Sequence, residues 1–158
     1  MCDEMLLRLG RWLRAAGYDT AIGEGGTDDG TLIASCAAES RVLLTRDRRL
    51  AARAEACIPV LRLVEDKIDD QARVLAAALG IDWQHAPFTR CVVDNAVLDP
   101  APPEAAAEVP PRSREAVSLQ STGLSHGGPL LCCPACGRLY WPGGHVRRMR
   151  ERLTAWAR

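Results

Sequence analysis

The sequence predicts an α/β fold with a mostly parallel sheet, followed by a small cysteine-based metal module. Three observations carry this reading. Short apolar runs alternate with helical patterns through residue 80, which is the signature of βαβ units. That pattern then dissolves into Pro- and Ala-rich sequence. Finally, Cys132-Cys133-Pro134-Ala135-Cys136-Gly137 places thiols at metal-ligand spacing near the end of the chain.

Residues 4–16, EMLLRLGRWLRAA, read as an amphipathic helix. Met5, Leu6, Leu9, Trp12 and Leu13 share its apolar face, and Arg8, Arg11 and Arg14 lie off that face. Gly17 ends it as a C-cap. Tyr18 to Ile22 suit a short strand, and residues 23–26 a loop. A second helix is expected over 30–40, with Thr27 or Asp28 as N-cap. Arg41–Thr45 is an apolar run fit for a buried parallel strand. A helix follows at 47–56, then a strand at Val60–Val64, then a helix over residues 68–79 stopped by Gly80. Only Met1 and Cys2 stand where the first strand belongs, against ~5–6 residues in a typical strand. The expectation is a truncated first strand, from a late or misassigned start or from a piece of a longer chain. Residues 99–111 and 121–129 read as exposed connections, and HVRRMRERLTAWAR closes the chain as an arginine-rich amphipathic helix.

The 158 residues are 47% hydrophobic and 25% charged, with 20 basic and 20 acidic groups in balance. That balance argues against a strongly basic coat for nucleic acid and leaves room for a local basic patch. Seven cysteines without a signal peptide or a bilayer-long apolar run argue against a disulfide framework and for a cytoplasmic protein. Cys2, Cys36 and Cys57 are expected to be buried, and Cys132 a bystander.

Ligands of a parallel α/β sheet bind beyond the carboxyl ends of its strands. Asp3 follows the first strand, Asp47 lies just past Val42–Leu44, and Asp28 and Asp29 open the intervening helix. Three carboxylates can therefore meet at one sheet edge. Clustered carboxylates repel unless a cation joins them, and Mg²⁺ or Mn²⁺ takes such oxygen ligands. The chemistry that fits is metal-assisted hydrolysis of a phosphodiester. The bland alternative is that Asp28, Asp29 and Asp47 only cap helices. Glu4, Glu39, Asp66, Asp69 and Asp70 read as solvated helix charges.

The ordered segments Asp3-Glu4-Met5-Leu6, Arg11–Thr20 and Arg41–Arg48 closely resemble the Mut7-C RNase domain family. So do Arg90-Cys91 with Asn95, and Cys133–Gly137 with Tyr140-Trp141 and Gly144-His145. The resemblance covers nearly the whole chain. It implies a PIN-like three-layer α/β fold with an inserted or appended zinc ribbon, and metal-dependent ribonuclease activity. On this chain the matching acidic positions are Asp3, the Asp28/Asp29 pair and Asp47. Thr45 is expected to hydrogen-bond a metal-bound water or Asp47, and Arg46 to hold a phosphate. Residues 1–82 then form the nuclease core, and residues 83–158 the ribbon-like module with its Pro/Ala-rich insertion and basic helix.

The family's first C-x₂-C pair reads Cys91-Val92-Val93-Asp94 here, so its second cysteine has become Asp94. The intact pair is Cys133 and Cys136, with Gly137 permitting the tight turn. Either Asp94 is the fourth zinc ligand, or Cys132, His126 or His145 substitutes, or the ribbon holds by packing alone. Arg147 and Arg148, with Arg150, Arg152 and His145, are candidates for RNA phosphate contact or for a solvated helix face, while Tyr140 and Trp141 read as core, with base stacking as the alternative. Three readings compete: a metal-dependent endoribonuclease, a non-catalytic RNA- or protein-binding module on the same fold, and a purely structural fragment of a larger polypeptide.

Overall fold

The computed structural model describes residues 1–111 and 129–158. The N-terminal part is α/β. Strand β1 (Leu43–Thr45) pairs in parallel with β2 (Val60–Arg62), with Leu43 opposite Val60 and Thr45 opposite Arg62. Cys2 forms parallel bridges to Leu44 on one side and to Ile22 on the other. Its neighbours complete the ladder: Asp3 N donates to Leu44 O at 3.0 Å and Gly23 N to Cys2 O at 2.8 Å. The short first strand thus does its work with one central residue. The Tyr18–Ile22 strand reduces to a single bridge at Ile22.

Helices cover both faces because successive strand side chains point to opposite sides. Leu44 joins Cys2, Leu6, Leu9, Leu13, Leu63, Leu75 and Trp83 in one core. Leu43 joins Leu32, Cys36, Leu50, Ala54 and Ile58 in the other. The first face is covered by α1 (Leu7–Ala15), preceded by a 3₁₀ turn at Glu4–Leu6, and by α4 (Ile68–Leu79). The second is covered by α2 (Asp29–Ala38) and α3 (Arg48–Ala54). Gly80 ends α4 in the left-handed conformation, φ 65°.

A three-stranded antiparallel sheet follows: β3 (Asp99–Pro100), β4 (Leu131–Cys132) and β5 (Leu139–Tyr140), in that order. The closing helix α5 (Gly144–Trp156) returns to the α/β core, where Leu153 is fully buried. Its Trp156 ring meets the edges of Trp12 and Trp83, each at 4.9 Å. No described helix is long and apolar enough to cross a membrane.

Several expectations are corrected. Met5 is 58% exposed, because the helix opens with a 3₁₀ turn that rotates it off the apolar face. Arg14 is buried: its Nε donates to Thr20 O at 2.7 Å and its Nη1 to the carbonyl of Val93. Cys57 is exposed, whereas Cys2 and Cys36 are buried. Residues 99–111 are not a bare connection. They carry β3 and a 3₁₀ helix at Pro103–Glu108, whose Ala105 packs with Val109 and Leu130. The 121–129 loop lies almost wholly outside the described residues, as does His126.

Candidate acidic cavity and cysteine cluster

A small cavity of about 90 Å³ sits beyond the carboxyl ends of the first strand and β1. Asp3, Asp29 and Asp47 line it, together with Glu4 and Glu24. By the same measure one water needs only ~10–15 Å³, so an ion with several waters fits.

Each carboxylate is fixed differently. Asp3 is buried, and both its oxygens are engaged. Oδ1 accepts from Leu6 N at 3.1 Å, and Oδ2 from the Thr45 hydroxyl and from Arg46 N at 3.3 Å. Thr45 is fully buried, and its Oγ1 also accepts from Asp47 N at 2.9 Å. Asp47 caps α3, with Oδ1 accepting from Arg49 N at 2.6 Å and Leu50 N at 3.1 Å. Asp29 pairs with Arg53 at 2.6 Å.

Asp28 is not among the cavity's lining residues. It caps α2, taking Thr31 N on Oδ1 at 3.0 Å and the Thr31 hydroxyl on Oδ2 at 2.6 Å, and these bonds hold its carboxyl below the usual range. The geometry therefore separates the pair: Asp28 caps and Asp29 lines. Glu4, read from sequence as solvated, is exposed and also lines the cavity, and Glu24 was missed because a glycine-rich loop shows no periodicity. Glu39 pairs with Arg41 and does not line this cavity.

The arginines proposed for phosphate are placed less favourably. Arg46 pairs with Asp66, Arg147 approaches Glu151 at 4.0 Å, and Arg152 is held by Asp69 at 2.8 Å. Arg148 forms no ion pair with a described residue and lines a cleft beside β5.

The second cluster is Cys91, Asp94, Cys133 and Cys136, whose ligand atoms all lie within 4.8 Å of one another. The Sγ atoms of Cys91 and Cys136 are 3.9 Å apart. Tetrahedral zinc with bonds of ~2.3 Å puts its sulfurs roughly 3.8 Å apart, so the set fits zinc. Cys133 Sγ lies 3.2 Å and 3.3 Å from the two Asp94 oxygens. Cys132 sits in β4 outside the set, and His145 faces a cleft.

Two turns of the same form present these ligands. In one, Gly137 has φ 69°, its N donates to Cys133 O at 2.9 Å, and Cys133 N donates to Arg138 O at 3.0 Å. In the other, Asn95 has φ 75°, its N donates to Cys91 O at 3.0 Å, and Cys91 N donates to Ala96 O at 2.8 Å. Asn95 is the counterpart of Gly137, a role for which asparagine is the best non-glycine residue. Its position directly after Asp94 was the available signal.

Hydrogen bonds from the Cys136, Cys91 and Cys133 thiols hold the Asp94 carboxyl well below the usual carboxylate range. Burial pushes the Cys133 thiol up to about 12. Thiolate formation there requires a compensating cation, so metal binding would release protons. Tyr140 donates its hydroxyl to Cys91 Sγ at 3.0 Å and accepts from Val92 N at 3.2 Å. It thus braces a residue of the cluster as well as filling the small core.

No curated protein and no solved structure matches this chain. The family model described as Mut7-C RNAse domain matches residues 1–153, both the acidic cavity and the cysteine cluster falling within the match. The chain therefore belongs to the Mut7-C RNAse domain family.

Proposed function

We propose that this chain is a metal-dependent endoribonuclease of PIN-like fold, cutting RNA at the Asp3–Asp29–Asp47 cavity. The observation that carries the reading is convergence. Carboxylates from the first strand, the start of α2 and the end of β1 line one cavity at the carboxyl edge of a parallel sheet. The family is named for RNase activity, which agrees. The cavity offers an all-oxygen donor set, suited to Mg²⁺ or Mn²⁺. Such an ion, when bound, lowers the pKa of a water and offsets charge on the phosphate. The chain's part is to hold that geometry. Thr45 and the Arg46 amide fix the Asp3 carboxylate, and the cap on α3 fixes Asp47. Glu24 and Glu4 are available to orient water or accept its proton. Residues 1–82 would form the nuclease core and residues 83–158 a zinc-ribbon-like module with the basic helix, zinc being held by Cys91, Asp94, Cys133 and Cys136.

A second reading has its own observation. Asp3 is already satisfied by the chain, and Asp28 and Asp47 serve as caps, as a non-catalytic binding module would need. One experiment separates the two. Single-stranded RNA is incubated with Mn²⁺ or Mg²⁺ and wild type, Asp47→Asn, Asp29→Asn or Asp28→Asn. Asparagine caps helices as well as aspartate, so Asp28→Asn and Asp47→Asn keep the fold, and Asp29→Asn removes only a solvent-exposed ion pair with Arg53. Cleavage should fall about 10²-fold in Asp47→Asn, the loss typical of one preorganised electrostatic group. It should also fall in Asp29→Asn and persist in Asp28→Asn. Equal cutting by wild type and Asp47→Asn would remove the site assignment. Metal-independent inertness of the wild type on a range of RNAs would favour the binding module.

A further inference from the structure

Two clefts of about 540 Å³ and 850 Å³ share Val92, Val93, Arg138 and His145 in their walls and so run into each other. The resulting groove lies where α1, the Cys91–Asp94 turn, β5 and the first turns of α5 meet. Its floor is apolar and open: Leu7 is 43% and Val93 42% exposed, beside Trp12. Its rim is cationic. Arg8, Arg11, Arg138 and Arg148 are all exposed, and none forms an ion pair with a described residue. Glu108 is the single acidic side chain among the lining residues described. In a chain of zero net charge this is a local concentration of positive charge around exposed hydrocarbon. That combination complements a polyanion with flat apolar faces.

The groove also points somewhere. Arg11, Arg8 and Leu7 on α1 line it, and Met5 and Glu4, one turn earlier in the same helical run, line the acidic cavity. Residues 4 and 11 are separated by roughly 10 Å along a helix axis at ~1.5 Å per residue.

The geometry points to this groove as the track for single-stranded RNA, with phosphates on the arginine rim and unpaired bases on the Leu7–Trp12–Val93 floor, leading to the acidic cavity. The choice of RNA rests on the ribonuclease reading of that cavity. Unpaired bases are required, because paired ones cannot turn their faces to the floor. An acidic protein segment is the competing occupant.

The test is direct binding, read by fluorescence anisotropy of a labelled dodecauridylate across a salt series, without added Mg²⁺ or Mn²⁺. Wild type should bind with strong salt dependence. Arg8→Ala/Arg11→Ala and Arg138→Ala/Arg148→Ala should each weaken binding about tenfold and lower the salt slope by about 1.4, at ~0.7 per lost single-strand phosphate contact. Arg62→Ala, on the exposed end of β2 outside the groove, should do neither. Circular dichroism and zinc content check the fold, and Arg→Gln versions replace any variant that fails it. Unchanged affinity and slope in both double variants overturn the track, as does failure of wild type to bind RNA while a polyglutamate peptide binds. The nuclease reading falls separately. Groove-dependent binding without cleavage keeps the track and removes the catalysis, whereas cleavage with groove-independent binding does the reverse.

Discussion

The Thr45 hydroxyl joins two carboxylate residues of the candidate site: it donates to Asp3 Oδ2 and accepts from the Asp47 backbone N–H at 2.9 Å. Thr45 is fully buried at the end of β1, so neither bond can be replaced by bulk water. One side chain therefore sets both the orientation of Asp3 and the entry of the chain into α3.

From this, Thr45→Val should cost about 1–3 kcal/mol, the penalty for leaving buried polar groups unpaired. Thr45→Ser keeps the hydroxyl and should lose only the buried methyl, about 1 kcal/mol. Urea denaturation of the two variants measures the difference. Equal stability of Val and Ser variants would mean that the Asp3–Thr45 bond does not hold this edge of the sheet together.

The cysteine cluster makes a prediction of opposite sign. Asp94 stands where a thiolate would suit zinc better, and its oxygens already lie 3.2–3.3 Å from Cys133 Sγ. Asp94→Cys should raise zinc affinity by about 10-fold or more, the low end of what ligand-shell changes bring, and Asp94→Ala should lower it as much. Competition against a chromogenic chelator reads both. Chelation should also lower the melting temperature, because Arg14 ties the Cys91–Asp94 turn to α1 through the Val93 carbonyl. If both substitutions leave zinc affinity at the wild-type value, Asp94 is no ligand.

Acid should loosen the closing helix. Arg152 and the Trp156 indole N–H both donate to Asp69, and they hold its carboxyl below the ordinary 3.8. A depressed folded-state pKa contributes stability that is present above the unfolded value and lost as pH falls through the folded one. Asp69→Asn should therefore be less stable than wild type at pH 6. With the Asp69 side chain 54% and the Arg152 side chain 35% exposed, solvent screens the pair and the loss should be about 0.5–1 kcal/mol. Below the ordinary 3.8 the gap should shrink as pH falls toward the depressed folded-state value, and it should close once wild-type Asp69 is protonated in the folded chain. Urea midpoints at pH 6 and near pH 2.5 decide it; a gap of the same size at both pH values would exclude the ion pair as its source.

Much of the architecture was legible because it follows from local pattern. The helix over 68–79 and its Gly80 stop, the apolar run at 42–45 and the C-x₂-C turn all depend on residues close in sequence. What the pattern misjudged had long-range causes. Arg14 looked solvated by helical spacing, but its carbonyl partners come from residues 20, 92 and 93. Residues 99–111 looked like linker, because alanine and proline carry no periodicity, yet they gain a core from Leu130. The choice between Asp28 and Asp29 was beyond the sequence, since adjacent residues at a helix start differ only in where the helix axis points them.

The sequence by itself determined the alternation of strands and helices, the metal-ligand spacing around Cys133 and the carboxylates that can stand at strand ends, since these are properties of neighbouring residues. Only the tertiary structure decided that Asp29 and not Asp28 joins Asp3 and Asp47, and that Asp94 completes the cysteine set. It also decided that Arg8 and Arg11, not Arg46, Arg147 and Arg152, are left unpaired along a groove. Ion pairs and cavities are made between segments far apart in the chain, and their formation fixes which charges remain available for a ligand.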